Sequence, residues 1–150
     1  MSRVQLALNV PDIDQAVEFY RRLFATEPNK RKPGYANFAI VDPPLKLVLF
    51  EDANAAARLN HLGVEVESLE DVAAHQARLA GAGIDATAEN GTCCFALQEK
   101  VWVDGPDGAW EVYAVLADSD DFGASSTHTN PDPADALGCG AVPESAARCC

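Results

Sequence analysis

The chain has 150 residues, 48% of them hydrophobic, and 23 acidic against 11 basic side chains give it a net charge of -12. That length holds one compact domain or two small modules sharing a core, and nothing in it suggests a large multidomain enzyme. The negative balance argues against nucleic acid and anionic membrane as partners, and no window approaches the roughly 20 apolar residues that span a bilayer.

Val4 to Val10 alternates apolar and mixed residues and predicts a strand. A helix follows: Asp12 is its N-cap, Gln15 completes a capping box, and Ile13, Ala16, Val17, Tyr20, Leu23 and Phe24 form the apolar stripe. Strand-like runs near 27-32, Tyr35 to Val41 and Leu45 to Glu51 come next, punctuated by Pro33-Gly34 and Asp42-Pro43-Pro44. The Ala-rich residues 52-59 read as a linker between module one, 1-51, and module two, 60-116.

The plan then repeats. Asn60 to Val66 has the alternation of residues 4-10 and sets His61 against Gln5; Ser68 and Asp71 box the start of a second helix carrying Leu69, Val72, Ala73, Gln76, Leu79 and Ala80, which Gly81 and Gly83 stop. Strands are predicted near Ile84 to Glu89, over Cys93 to Gln98 with Val101 to Val103, and over Ala109 to Leu116, with turns at Asn90-Gly91 and 104-108. From Ala117 to Cys150 the composition turns to Ser, Thr, Pro, Gly, Asp and Ala, predicting a flexible acidic tail that carries Cys139, Cys149 and Cys150. His75 reads as a helix surface residue and His128 as part of that tail.

Strand parity sends Gln5, His61 and Glu111 to one face of the sheet, opposite the face that packs on the helices. If the two modules curl toward each other, these three meet in a cavity and make a possible metal site; the plainer reading is polar lining around a satisfied histidine. Cys93 and Cys94 are adjacent, with Cα atoms about 3.8 Å apart, below the usual disulfide window of roughly 4.4 to 6.8 Å. Such a pair, in a chain with no secretory leader and no spaced cysteine framework, points to reduced thiols in the cytoplasm that suit a trivalent, thiophilic element. Two small buried hydrophobes would be the inert reading. Successive strand residues face opposite ways, so a shared ligand requires a bend, which Asn90-Gly91 could supply, and the segment is expected to close over bound substrate.

The doubled strand-helix-three-strand plan, His61-Leu62-Gly63-Val64-Glu65-Val66 and Trp110-Glu111-Val112-Tyr113 together resemble the vicinal oxygen chelate superfamily of glyoxalases and extradiol dioxygenases. The resemblance implies an α+β fold of two βαβββ modules around a metal-containing cavity, with Gln5, His61 and Glu111 at three of four ligand places. The fourth falls near Leu47 or Val48, where only apolar residues stand. Gly91-Thr92-Cys93-Cys94-Phe95, Lys100-Val101-Trp102-Val103 and the cysteine-bearing tail are similar to the ArsI-type carbon-arsenic lyases and the related cadmium-induced CadI proteins. That implies a non-haem Fe(II) dioxygenase in which Cys93 and Cys94 bind a trivalent organoarsenical, Gln5, His61 and Glu111 hold iron, and dioxygen cleaves the carbon-arsenic bond to release arsenite. Lys100 and Trp102 share one strand parity and could orient that substrate, with ordinary cross-strand packing as the plainer reading. A CadI-like protein sequestering arsenic or cadmium, or another oxygenase of the superfamily, are the alternatives, with a monomer or homodimer as the assembly.

Overall fold

The computed structural model describes residues 1-106 and 108-123. Strand β1 (Arg3–Val10), helix α1 (Ile13–Phe24) and strands β2 (Lys30–Lys32), β3 (Tyr35–Ile40) and β4 (Leu45–Glu51) form the first half. The second repeats the order as β5 (Leu59–Val66), α2 (Leu69–Gly81), β6 (Thr87–Cys93), β7 (Ala96–Gly105) and β8 (Gly108–Asp118). The strands make one eight-stranded sheet in the order β2-β3-β4-β1-β5-β8-β7-β6. β1 and β5 meet antiparallel at its centre, and each pairs in parallel with the last strand of its own half, β4 or β8. This is the α+β arrangement of two βαβββ units that the repeat predicts.

Alternation decides which face each strand buries. The even-numbered side chains of β1, Leu6, Leu8 and Val10, join Phe38, Leu47 and Leu49 against Ile13 and Val17 of α1. Val64, Val66, Val112 and Ala114 pack with Val72 of α2 in the second half. Each large aliphatic or aromatic side chain taken fully out of water contributes about 1.5–3 kcal/mol, so these two helix-side cores fix the sheet and leave its other face to form a cavity.

Both helices begin where their caps place them. Asp12 accepts from the Gln15 amide at 2.9 Å, while the Gln15 side chain donates back to its carboxylate at 3.0 Å. Ser68 accepts from the Asp71 amide at 3.2 Å and donates to the Asp71 carboxylate at 2.7 Å. Leu23, expected on the buried stripe, is 58% exposed, because it falls beyond the arc that faces β3 and β4.

The turn positions differ from expectation in the second half. Asn90-Gly91 lies inside β6, paired with Glu99 and Gln98, and the chain reverses instead between Cys93 and Ala96. β7 is continuous from Ala96 to Gly105, with a register shift against β8 at Leu97/Gln98. The expected strand near 27-32 shortens to Lys30–Lys32. Residues 124-150, with Cys139, Cys149, Cys150, His128 and most of the expected tail, lie outside the described residues. No described helix is long and apolar enough to cross a membrane.

Candidate metal and thiol site

β1, β5 and β8 bring three polar side chains together on the cavity face. Gln5 lies across from Gly63, and Gly63 lies across from Glu111. A Cβ on Gly63 would stand 2.9 Å from Glu111 Cγ and 3.4 Å from Gln5 Cβ, so glycine between them lets their side chains meet over the central strand. Gln5 Nε2 donates to Glu111 Oε1 at 2.5 Å and lies 3.0 Å from His61 Nε2, which is 3.2 Å from Glu111 Oε1. All three residues are at least 96% buried.

The imidazole is oriented from behind. Asn60 Nδ2 donates to Asn9 Oδ1 at 2.9 Å, which turns Asn60 Oδ1 toward His61 Nδ1 at 2.7 Å. That carbonyl oxygen can only accept, so Nδ1 is a donor to it and Nε2 is the ring nitrogen turned to the cluster. Burial alone would raise the Glu111 carboxyl, but Lys100, with Nζ 2.7 Å from Oε2, and His61 together outweigh it and hold the group down to about 2. Lys100 is itself 2% exposed and sits over the Trp102 and Tyr113 rings at 5.3 and 5.8 Å.

The donor set fits a divalent cation. An octahedral ion with bonds of about 2.1 Å places neighbouring donors about 3.0 Å apart; His61 Nε2 and Glu111 Oε1 stand 3.2 Å apart, while the Gln5 atom facing them is the amide nitrogen, so Gln5 joins the set only when its oxygen is turned there. Among the described residues no group of three His, Cys, Asp or Glu converges, so the third donor here is an amide. Of the two positions expected for a fourth ligand, Val48 lines the cavity while Leu47 packs under α1. Neither can coordinate.

The cavity next to this cluster has a volume of about 140 Å³, and Gln5, Glu111, Cys94, Gln98, Tyr35 and Lys46 are among its lining residues. Cys94 reaches it because of the turn. Cys94 and Phe95 form a two-residue hairpin loop with φ of 56° and 63°, a conformation that favours Asn-Gly and costs of order 1–3 kcal/mol for each residue carrying a Cβ. It removes the strand alternation that would otherwise separate the two sulfurs, and they stand 3.0 Å apart. Both cysteines are buried, against Tyr35, Trp102, Phe95 and Phe122. Cys93 is disulfide-bonded in this structure, and a 3.0 Å separation rules out Cys94 as its partner. The expectation of two resident thiolates is therefore met only after reduction.

Several residues here were not singled out by the sequence reading. Glu65 receives Arg3 and Lys46, each at 2.7 Å, and Tyr113 Oη lies 2.9 Å from it. Tyr35, whose hydroxyl accepts from Asn37 Nδ2 at 2.8 Å, closes another wall; burial, then Cys94, raises its phenol. Parity in Leu45-Lys46-Leu47-Val48-Leu49-Phe50, applied as for β1, points to Lys46 as a cavity residue.

The geometry agrees with what the chain is similar to. Residues 3–112 match the family model "Glyoxalase/Bleomycin resistance protein/Dioxygenase superfamily". The cadmium-induced protein CadI of Mycobacterium tuberculosis is 60% identical over 141 residues, 93% of each chain. A protein of Thermomonospora curvata named trivalent organoarsenical cleaving enzyme is 50% identical over the full length of both. Among solved structures, the Mn(II)-bound glyoxalase of Novosphingobium aromaticivorans superposes with a TM-score of 0.55 at 23% identity, over 79% of this chain and 42% of that one. On the family match and these two close relatives, the chain belongs to the glyoxalase/bleomycin resistance protein/dioxygenase superfamily, in the branch that holds CadI and the trivalent organoarsenical cleaving enzymes.

Proposed function

We propose that the protein is an Fe(II)-dependent dioxygenase that cleaves the carbon-arsenic bond of trivalent organoarsenicals, methylarsonous acid and aromatic arsenicals among them, in the cytoplasm. The observation that carries this reading is the pair of sulfurs 3.0 Å apart on a strained turn, with Cys94 opening on the same cavity as Gln5 and Glu111. A monosubstituted arsenical, R-As(OH)2, has two exchangeable hydroxyls. Each thiol replaces one of them and releases water, which saturates the arsenic with sulfur and leaves R free to face the polar cluster. Soft sulfur suits arsenic, and the N/O donors of Gln5, His61 and Glu111 suit Fe(II).

Iron held there would supply binding and reduction of dioxygen, converting the arsenical to arsenite and an oxidised organic fragment. The chain's own residues prepare the site. Lys100 keeps Glu111 ionised, Asn60 holds His61 Nδ1 so that Nε2 faces the cluster, and Tyr35, Trp102 and Phe95 exclude water from the sulfurs. One chain provides every residue of the site, so a monomer suffices. In the reducing cytoplasm the disulfide at Cys93 would open and complete the thiol pair.

The 60% identity to CadI favours one second reading, sequestration of a thiophilic metal or metalloid without turnover. Anaerobic purification in dithiol buffer, Fe(II) loading and oxygen-uptake measurement with methylarsonous acid separate the two. Uptake that disappears in Cys94→Ser supports the lyase. Tight binding without uptake would mean sequestration, and uptake indifferent to both cysteines would mean another oxygenase.

A further inference from the structure

Tyr113 Oη is within hydrogen-bonding reach of two acceptors at once. It lies against Gln5 Oε1 and stands 2.9 Å from Glu65 Oε2. A phenol has one proton and can donate to only one of them. Glu65 is ionised: burial would raise its carboxyl, but Lys46, Arg3 and Tyr113 outweigh that and lower it. With the amide oxygen of Gln5 facing Tyr113, one acceptor is left against an oxygen lone pair in a buried site, which is unfavourable.

Rotating the Gln5 amide by half a turn reverses this. Its NH2 then donates to Tyr113 Oη, the phenol donates to Glu65, and Glu65 is held by Arg3 and Lys46 at 2.7 Å each. Every donor in the row has a matching acceptor. On the other side, the amide oxygen now faces Glu111 Oε1 and His61 Nε2, the atoms its nitrogen contacts at 2.5 and 3.0 Å. Three acceptors converging on one point repel one another unless a cation lies between them. The amide is thus a two-state element: the rotated state satisfies Tyr113 and Glu65 and presents to His61 and Glu111 an oxygen that a metal ion completes.

We infer that Tyr113 and Glu65 form a relay that turns the carbonyl oxygen of Gln5 toward His61 and Glu111 and thereby sets the affinity of the three-donor site for a divalent cation. They are positioning residues acting through Gln5. The inference rests on the reading that Gln5, His61 and Glu111 hold a metal.

Calorimetric titration of the full chain with Mn(II), a hard ion that leaves the thiols out of account, tests it, with the electron paramagnetic resonance signal of bound Mn(II) as a second readout. Tyr113→Phe removes the acceptor for the rotated amide and should weaken Mn(II) about 10- to 100-fold, as loss of an outer-shell partner does elsewhere, with an altered Mn(II) signal. Glu65→Gln should weaken it less, and adding it to Tyr113→Phe should cost nothing further. A purely structural role would lower the melting temperature without moving either readout. Wild-type Mn(II) affinity in Tyr113→Phe, alongside its loss in His61→Ala, would overturn the relay. Wild-type affinity in His61→Ala would instead remove the three-donor site beneath it. Should Tyr113→Phe fail to fold, unchanged affinity in Glu65→Gln overturns the relay equally.

Discussion

The two halves of the sheet contain equivalent hairpins with opposite chemistry. β2 and β3 are joined by Pro33-Gly34 between the paired residues Lys32 and Tyr35, and Gly34 takes φ of 71° at no steric cost. β6 and β7 are joined by Cys94-Phe95 between the paired residues Cys93 and Ala96, with both φ values positive and a side chain on each. The first loop has residues chosen by its backbone, and the second has residues its backbone resists. Strain concentrated at one turn persists where the surroundings enforce it, and here it sets two sulfurs side by side.

The largest expected effect separates these loops directly. Cys94→Asn should remove turnover and the arsenic adduct seen by mass spectrometry, while raising stability by about 0.5–1 kcal/mol because Asn tolerates a left-handed conformation. A variant that keeps full activity would end the idea that this turn is built around its thiol. Next, Lys100→Met leaves Glu111 buried without its ion-pair partner and should cost about 3–5 kcal/mol in denaturant melts. Glu111 titrates near 2 against an ordinary value of 4.5, so its contribution to stability is full above about pH 4.5 and disappears as pH falls through 2. The same variant should move that window upward.

Gly34→Ala tests the quieter hairpin. An added Cβ meets only Glu51 atoms at 3.9 Å, so backbone conformation alone sets the cost, about 1 kcal/mol, with turnover unchanged. The smallest effect is expected for Ser68→Ala, about 0.5–1 kcal/mol from loss of one helix cap, again without effect on arsenical binding.

How much of this could be read in advance follows from the range of the interactions. Period-two alternation placed Gln5, His61 and Glu111 on one face because side-chain direction in a strand is a local property. The caps at Asp12 and Ser68 were equally legible, their partners lying three residues away. Asn90-Gly91 misled because it is the stronger local turn signal, yet seven residues of pairing between β6 and β7 override it and move the reversal to Cys94-Phe95. The set of Arg3, Lys46, Glu65 and Tyr113 depends on the strand order β4-β1-β5-β8, which joins residues up to 110 positions apart and has no local signature.

The carbonyl of Phe95 receives Lys30 Nζ at 2.6 Å from β2 and the Ser119 amide at 2.9 Å from beyond β8, while Cys93 bridges to Gly123. β2 and β6 are the outermost strands of the sheet, so this latch draws its two free margins together like a cuff. The shielding of the sheet margins from foreign chains therefore resides in a few polar contacts around one turn, and loosening them would expose the margins to aggregation.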